Sequence, residues 1–192
     1  MNDVEQAVKV LNGGGIIIFP TDTAFGIGCR IDRENAVRRL FNIRKRPQTQ
    51  AVPVLFDSLD MIRKYVIDFP IEVEDKLTDK YWPGALTIIL PAFLDMVPKL
   101  VRGNGKNLGV RIPDNNTILS IIKKIGVGVL GPSANFHGKE TPYNFEDLDP
   151  ELVSLADFVV KGECKLKQPS TVIDVSVKPW QIIREGAVKI SL

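Results

Sequence analysis

The side chains able to do chemistry in this 192-residue chain are cations, hydroxyls and amides set in short turns. Arg44, Lys45 and Arg46 stand together just before Pro47. Polar turns adjoin apolar runs at Pro20-Thr21-Asp22-Thr23, Ser133-Ala134-Asn135 and Ser170-Thr171, and Arg111 lies inside the apolar stretch Leu108-Gly109-Val110-Arg111-Ile112. His137 is the one histidine, so a metal site or a serine-histidine-aspartate triad has little to draw on, and no protein metal site is expected. Guanidinium groups and hydroxyls suit the binding of an anionic substrate and the stabilisation of charge that develops as it reacts, which is how much phosphate chemistry is catalysed. Plainer readings stand beside this one. Cations at a helix C-terminus complement its dipole by about 0.3–1 kcal/mol, and an arginine in a strand can face solvent from a sheet edge.

The elements that must position these groups are readable from periodicity. Asn2 with Glu5 forms a capping box for a first helix carrying Val4, Val8 and Leu11, which Gly13-Gly14-Gly15 stops. Those glycines suit a helix end better than a phosphate loop, because no G-x-x-x-x-G-K-[ST] pattern follows. Ile16-Ile17-Ile18-Phe19 reads as a strand buried on both faces, which puts Thr21 at its carboxyl end. Asp32 is expected to cap the next helix, with Val37, Leu40, Phe41 and Ile43 as its apolar side, and Pro47 to end it beyond the cations. Further helices are expected from Ser58, over residues 71–81, over 117–125 and, with a break at Asp149-Pro150, over 144–157. Strands are expected at 85–90, 108–112, 127–130, 158–160, 170–175 and 180–184. Hydroxyls and amides thus arrive repeatedly where buried strands stop, the usual place for sites in α/β proteins.

Composition narrows the class. With 44% hydrophobic and 25% charged residues the chain can bury a sizeable core, and one domain is the default reading. A net charge of +2 is too mild to announce a nucleic-acid-binding protein. Cys29 and Cys164 lack metal-type spacing and read as reduced, buried thiols. An acidic start, no apolar leader and no run of membrane-spanning length point to a cytoplasmic protein without membrane contact.

Taken in order, Phe19-Pro20-Thr21-Asp22-Thr23-Ala24-Phe25-Gly26, Arg44 to Pro47, Trp82-Pro83-Gly84-Ala85-Leu86-Thr87, Val110-Arg111-Ile112-Pro113, Pro132-Ser133-Ala134-Asn135, Pro169-Ser170-Thr171-Val172-Ile173-Asp174 and Ile183-Arg184-Glu185-Gly186 give the chain a resemblance over nearly its whole length. It resembles the TsaC/YrdC-type threonylcarbamoyl-AMP synthases. The resemblance implies an α/β fold: a single YrdC-like domain over residues 1–192, with a twisted mixed sheet flanked by helices around a large basic cavity. It also implies a nucleotidyltransferase that makes threonylcarbamoyl-AMP and pyrophosphate from L-threonine, bicarbonate and ATP with Mg²⁺. Partner enzymes would pass the threonylcarbamoyl group to an adenosine in tRNA. The chain looks like the short form of the family, without the linked second domain of longer relatives.

Carried over by position, the resemblance gives Arg44 and Arg46 the catalytic role, and Arg44, Arg46, Ser133, Asn135, Thr141 and Arg184 the binding of ATP. Thr21, Arg111 and Ser170 are the candidates for threonine, Arg111 because a planar fork suits a carboxylate. Three departures stand out. Arg44 replaces the usual lysine, leaving open whether Arg44 or Lys45 fills that role; Phe25 replaces a tyrosine; and His137 replaces a serine, bringing a titratable group toward the site. Two other readings compete: an RNA-binding module of the same fold, in direct contact with tRNA, and a paralogue acting on another carbamoyl or acyl substrate.

Overall fold

The structure, a computed structural model, describes residues 2–191. In chain order it contains α1 (Asp3–Asn12), β1 (Ile17–Phe19), β2 (Gly26–Gly28), α2 (Glu34–Ile43), β3 (Val54–Leu55), α3 (Leu59–Ile62), α4 (Ile71–Val73), α5 (Asp79–Tyr81), β4 (Leu86–Pro91), β5 (Asn107–Arg111), α6 (Asn116–Ile125), β6 (Val129–Leu130), α7 (Pro150–Leu155), β7 (Phe158–Val159), β8 (Thr171–Asp174) and β9 (Gln181–Arg184). A π-helical turn, Glu74–Thr78, joins α4 to α5, so residues 71–81 form the expected helical run with one wide turn inside it.

Most local signals act as anticipated. Asn2 Oδ1 accepts from the Glu5 N–H (2.9 Å) while Glu5 accepts from the Asn2 N–H (3.2 Å), completing the capping box of α1. Asn115 caps α6 by accepting from the N–H groups of Thr117 and Ile118, and Gly126 ends that helix at φ 71°. Asp32 behaves differently from expectation. Its two oxygens take the Arg30 guanidinium at 2.9 and 2.7 Å, and Arg33 stands uncapped at the start of α2. A two-point ion pair has won the carboxylate from the helix end.

The mixed sheet of the sequence reading is two mixed sheets. Three strands run in the order β2-β1-β7, with β2 antiparallel and β7 parallel to β1. Six run in the order β6-β3-β5-β4-β8-β9, with β3/β5 and β4/β8 parallel and the other pairs antiparallel. Helices α1 and α6 pack on each other, and one continuous apolar core joins both sheets. Cys29 and Cys164 are free and buried inside it, and burial pushes the Cys29 thiol up to about 12.

The sheets touch where β2 crosses β6. Bridges pair Gly26 with Ser133 and Arg30 with Val129. A Cβ on Gly28 would stand 1.7 Å from the Leu130 carbonyl oxygen, so only glycine permits this approach. Gly28→Ala should therefore cost more than about 3 kcal/mol, because backbone must move to admit it. Asn115→Ala, which removes only a cap, should cost about 1 kcal/mol. Urea unfolding of both variants checks the order.

Candidate active site

A cleft of about 160 Å³ opens where the ends of the two sheets meet. The small sheet brings the turn after β1, with Thr21 and Thr23, and the start of β2. The large sheet brings Leu55 and Arg111 from the paired ends of β3 and β5, Thr87 from the start of β4, Ser170 just before β8, and Arg184 from β9. Arg44, Arg46, Ser133 and Thr141 come from the loops. The enclosed space is narrower than the large cavity the resemblance implies. It falls below the roughly 300–1,000 Å³ of common ligand pockets, so a larger ligand would extend along the mouth as well as inside.

Arg44 caps the C-terminus of α2 and is buried. Its Nε donates to the Asn135 carbonyl (3.1 Å) and Nη2 to Asn135 Oδ1 (3.2 Å), whereas Nη1 is buried without a partner. Burial, then the neighbouring Arg46, pushes its pKa down to about 10. Asn135 does not line the cleft. It stands behind Arg44, accepting also from Ser133 Oγ (2.6 Å) and donating to the Lys139 carbonyl (2.5 Å). Its geometry is that of a group that aims Arg44. Lys45 takes the left-handed conformation, φ 52°, which turns its side chain outward over the Phe136 ring (4.7 Å) and toward Glu151 (4.0 Å). Arg44, not Lys45, therefore enters the cleft. Arg46 enters too, donating to the carbonyls of Gln50 (3.1 Å) and Ala51 (2.6 Å) and fastening its own loop, and burial lowers its pKa.

Arg111 is buried on a central strand rather than exposed on an edge. Its guanidinium donates to the Gly84 carbonyl (2.9 Å), to Thr23 Oγ1 (2.9 Å) and to Asp22 Oδ1, a buried ion pair whose other carboxylate oxygen has no partner. Burial lowers the Arg111 pKa and Asp22 opposes that shift. Thr21 Oγ1 donates to the Ala24 carbonyl (2.7 Å) and accepts from the N–H groups of Thr23 and Ala24, so its role here is to hold the turn.

Ser170 accepts the Arg184 guanidinium at its carbonyl and at Oγ, both 3.0 Å, and its hydroxyl meets Thr87 Oγ1 at 3.0 Å. Arg184 sits at the solvent side, its pKa lowered by partial burial. Thr141 lines the same wall as Ser133. His137 faces solvent outside the lining; its backbone N–H donates to the Arg44 carbonyl (2.8 Å), and its ring takes no part. Phe25 is buried at the cleft wall, edge-on to Phe145. Sequence reasoning singled out the turn carrying Asp22 and Thr23 and the motif ending at Thr87, but gave none of the three a role in the site. The signal for Thr87 was a polar residue opening an otherwise apolar strand.

Four arginines converge with one carboxylate among them, and each guanidinium is held below its ordinary pKa by burial. Such a site is short of negative charge. Among the described residues no group of three or more His, Cys, Asp or Glu could hold a metal ion. Fold and cleft together define a mixed α/β protein built to receive an anion between two sheets.

The Sua5/YciO/YrdC family model, described as telomere recombination, matches residues 9–186. The chain belongs to that family. It is 36% identical over 187 residues to a threonylcarbamoyl-AMP synthase of Xanthomonas axonopodis pv. citri, covering 95% of this chain and 97% of the relative. Among solved structures it is similar to Sua5 of Pyrococcus abyssi complexed with L-threonine, with a TM-score of 0.90, 29% identity and coverage of 95% of this chain and 54% of that one. It therefore spans about half of the archaeal protein. Escherichia coli YciO is also similar, with a TM-score of 0.84, 28% identity and coverage of 95% and 88%.

The backbone at Lys45 yields a test. Lys45→Gly should fold with wild-type stability or slightly better, since glycine adopts φ 52° freely. Lys45→Val should lose about 1–2 kcal/mol and weaken ATP binding, because a β-branched residue resists that conformation and would swing Arg44 or Arg46 out of the cleft. Urea unfolding and nucleotide titration of the pair give the answer.

Proposed function

We propose that this chain is an L-threonylcarbamoyladenylate synthase, a nucleotidyltransferase joining L-threonine, bicarbonate and ATP. The observation that carries the reading is the convergence of Arg44, Arg46, Arg111 and Arg184 on one cleft with a single buried carboxylate to balance them. The synthase name of the Xanthomonas relative and the threonine complex of the Pyrococcus one support it.

The chemistry follows from where charge must be met. Threonine amine adds to bicarbonate with loss of water, giving a carbamate. A carbamate oxygen then attacks the α-phosphorus of ATP and pyrophosphate leaves, so no covalent enzyme intermediate is required. Arg44, aimed by Asn135, and Arg46 neutralise the phosphates during that displacement, with Arg184 at the mouth on the triphosphate side and Ser133 and Thr141 along the nucleotide wall. Arg111, held by Asp22 yet keeping an unshared hydrogen on each terminal nitrogen, receives the amino-acid carboxylate. Thr21 shapes that end of the cleft, and Ser170 contributes to it directly. Magnesium supplies further charge neutralisation when it enters with ATP.

Downstream enzymes would transfer the threonylcarbamoyl group to tRNA, which sets the work in the cytoplasm. Direct RNA contact is not needed for the reaction, and the +2 net charge gives little reason for it. Among the described residues no helix is long and apolar enough to cross a membrane.

Pyrophosphate release from ATP in bicarbonate buffer should depend on threonine. Serine, lacking one methyl contact, should be poorer by about 10–200-fold in kcat/KM, and valine poorer still. Arg46→Ala should abolish release while circular dichroism shows a folded chain. Equal stimulation by all three amino acids, or none by threonine, would leave the paralogue or the RNA-binding module as the better account.

A further inference from the structure

Counting hydroxyl protons along the cleft separates two clusters that look alike. In the first, Thr21 spends its proton on the Ala24 carbonyl (2.7 Å). Its two lone pairs take the N–H groups of Thr23 and Ala24, and Thr23 Oγ1, 3.0 Å away, accepts from Arg111. The Thr21 hydroxyl is fully used. In the second cluster, Thr87 Oγ1 and Ser170 Oγ share one hydrogen bond of 3.0 Å, and Ser170 Oγ also accepts from Arg184. Two hydroxyls carry two protons, and their mutual bond uses one. Neither oxygen has an acceptor in the protein for the other.

The pair is also fixed in place. Thr87 and Ser170 are 4% and 7% exposed and both line the cleft, so a partner for the free proton has to come from inside it. The Thr87 methyl lies against Gly109 of the neighbouring strand, which holds the hydroxyl on the Ser170 side. Parallel pairing of Leu86 with Thr171 and Thr87 with Val172 sets the two oxygens side by side at the starts of adjacent strands. A buried donor without an acceptor costs about 1–3 kcal/mol, a cost that a ligand oxygen removes.

Which oxygen fits follows from the pair's symmetry. If Thr87 donates to Ser170, the spare proton is on Ser170; if Ser170 donates to Thr87, it is on Thr87. Reversing the shared bond exchanges the spare donor between the two residues without losing a hydrogen bond, and lone pairs remain available. A site that donates and accepts in this way matches an alcohol, which does both, better than a carboxylate, which only accepts. Arg111, lining the same cleft, is the group suited to a carboxylate.

Resting on the function proposed above, we infer that the Thr87–Ser170 hydroxyl pair reads the β-hydroxyl of the amino-acid substrate, with Thr87 as a specificity-determining residue. The enzyme is then selective for α-amino acids bearing a β-hydroxyl because this pair is left unsatisfied by an isostere without one.

The test compares kcat and KM for threonine and its isostere valine in wild type, Thr87→Val, Thr87→Ala and Thr87→Ser, at saturating ATP. Wild type should prefer threonine strongly. Thr87→Val should narrow the threonine-to-valine ratio of kcat/KM by about tenfold or more, chiefly through the KM for threonine, with the KM for ATP unmoved. Thr87→Ala, which cannot overpack, should narrow it in the same way, so a folding failure of the valine variant does not remove the test. Thr87→Ser, keeping the hydroxyl, should retain the preference. If Thr87→Val or Thr87→Ala keeps the wild-type ratio, or if the KM values for ATP and threonine rise together, Thr87 only packs and the inference fails. A wild-type protein that ignores threonine overturns the functional reading itself, a result visible before any variant is made.

Discussion

The ion pair between Asp22 and Arg111 is the contact on which the site depends. One partner belongs to the turn leaving the small sheet, the other to the central strand of the large one, 89 residues away. Buried charges are tolerated only when paired, and removing one partner typically costs about 3–5 kcal/mol. The pair therefore does more than hold two strands together. It fixes the turn carrying Thr21 and Thr23 against Arg111, which makes one wall of the cleft a rigid object. Among the described residues Asp22 is the one acidic side chain paired with any of the four arginines, so the positive charge of the other three is left for a ligand.

A second layer of fixation works through neutral groups. Asn135 spends its carbonyl, side-chain oxygen and amide on Arg44, Ser133 and the Lys139 backbone. Arg46 is tied to its own loop, and Arg184 to Ser170. Long cationic side chains lose considerable rotamer entropy when they are held still, and here the protein imposes that loss before any substrate arrives. Preorganised donors of this kind need not reorganise as charge moves toward the leaving pyrophosphate in the proposed displacement.

The sequence revealed the fold well where local chemistry decides it. The helix that begins at Asn2, the glycine end of α6, the break at Asp149-Pro150 and the buried strand before Pro20 all rest on contacts within a few residues. It failed where a distant or competing partner intervened. Asp32 looked like a helix cap until Arg30 claimed it, and Arg111 had two faces to choose between until β3 and β4 enclosed its strand. The site shows the same division. Residue types and motif order pointed to Arg44, Arg46, Ser133 and Arg184, all of which line the cleft. That Asn135 stands behind Arg44, that the Thr21 hydroxyl is already used and that Thr87 has a proton to give are facts of hydrogen-bond direction, which spacing along a chain does not encode.

The strand order has a consequence for how the protein comes into being. The contacts that define the cleft join residue 22 to 111, 44 to 135 and 87 to 170, and the last cation arrives at residue 184. A chain leaving the ribosome at about 5–20 residues per second makes the small sheet's first two strands early and must wait for β8 and β9 before the large sheet can present its full set of side chains. Pairings so distant in sequence are slow to close. Nascent chains would then pass through a stage with most of the core translated but no working cleft, and binding competence should switch on late and together rather than accumulate with length.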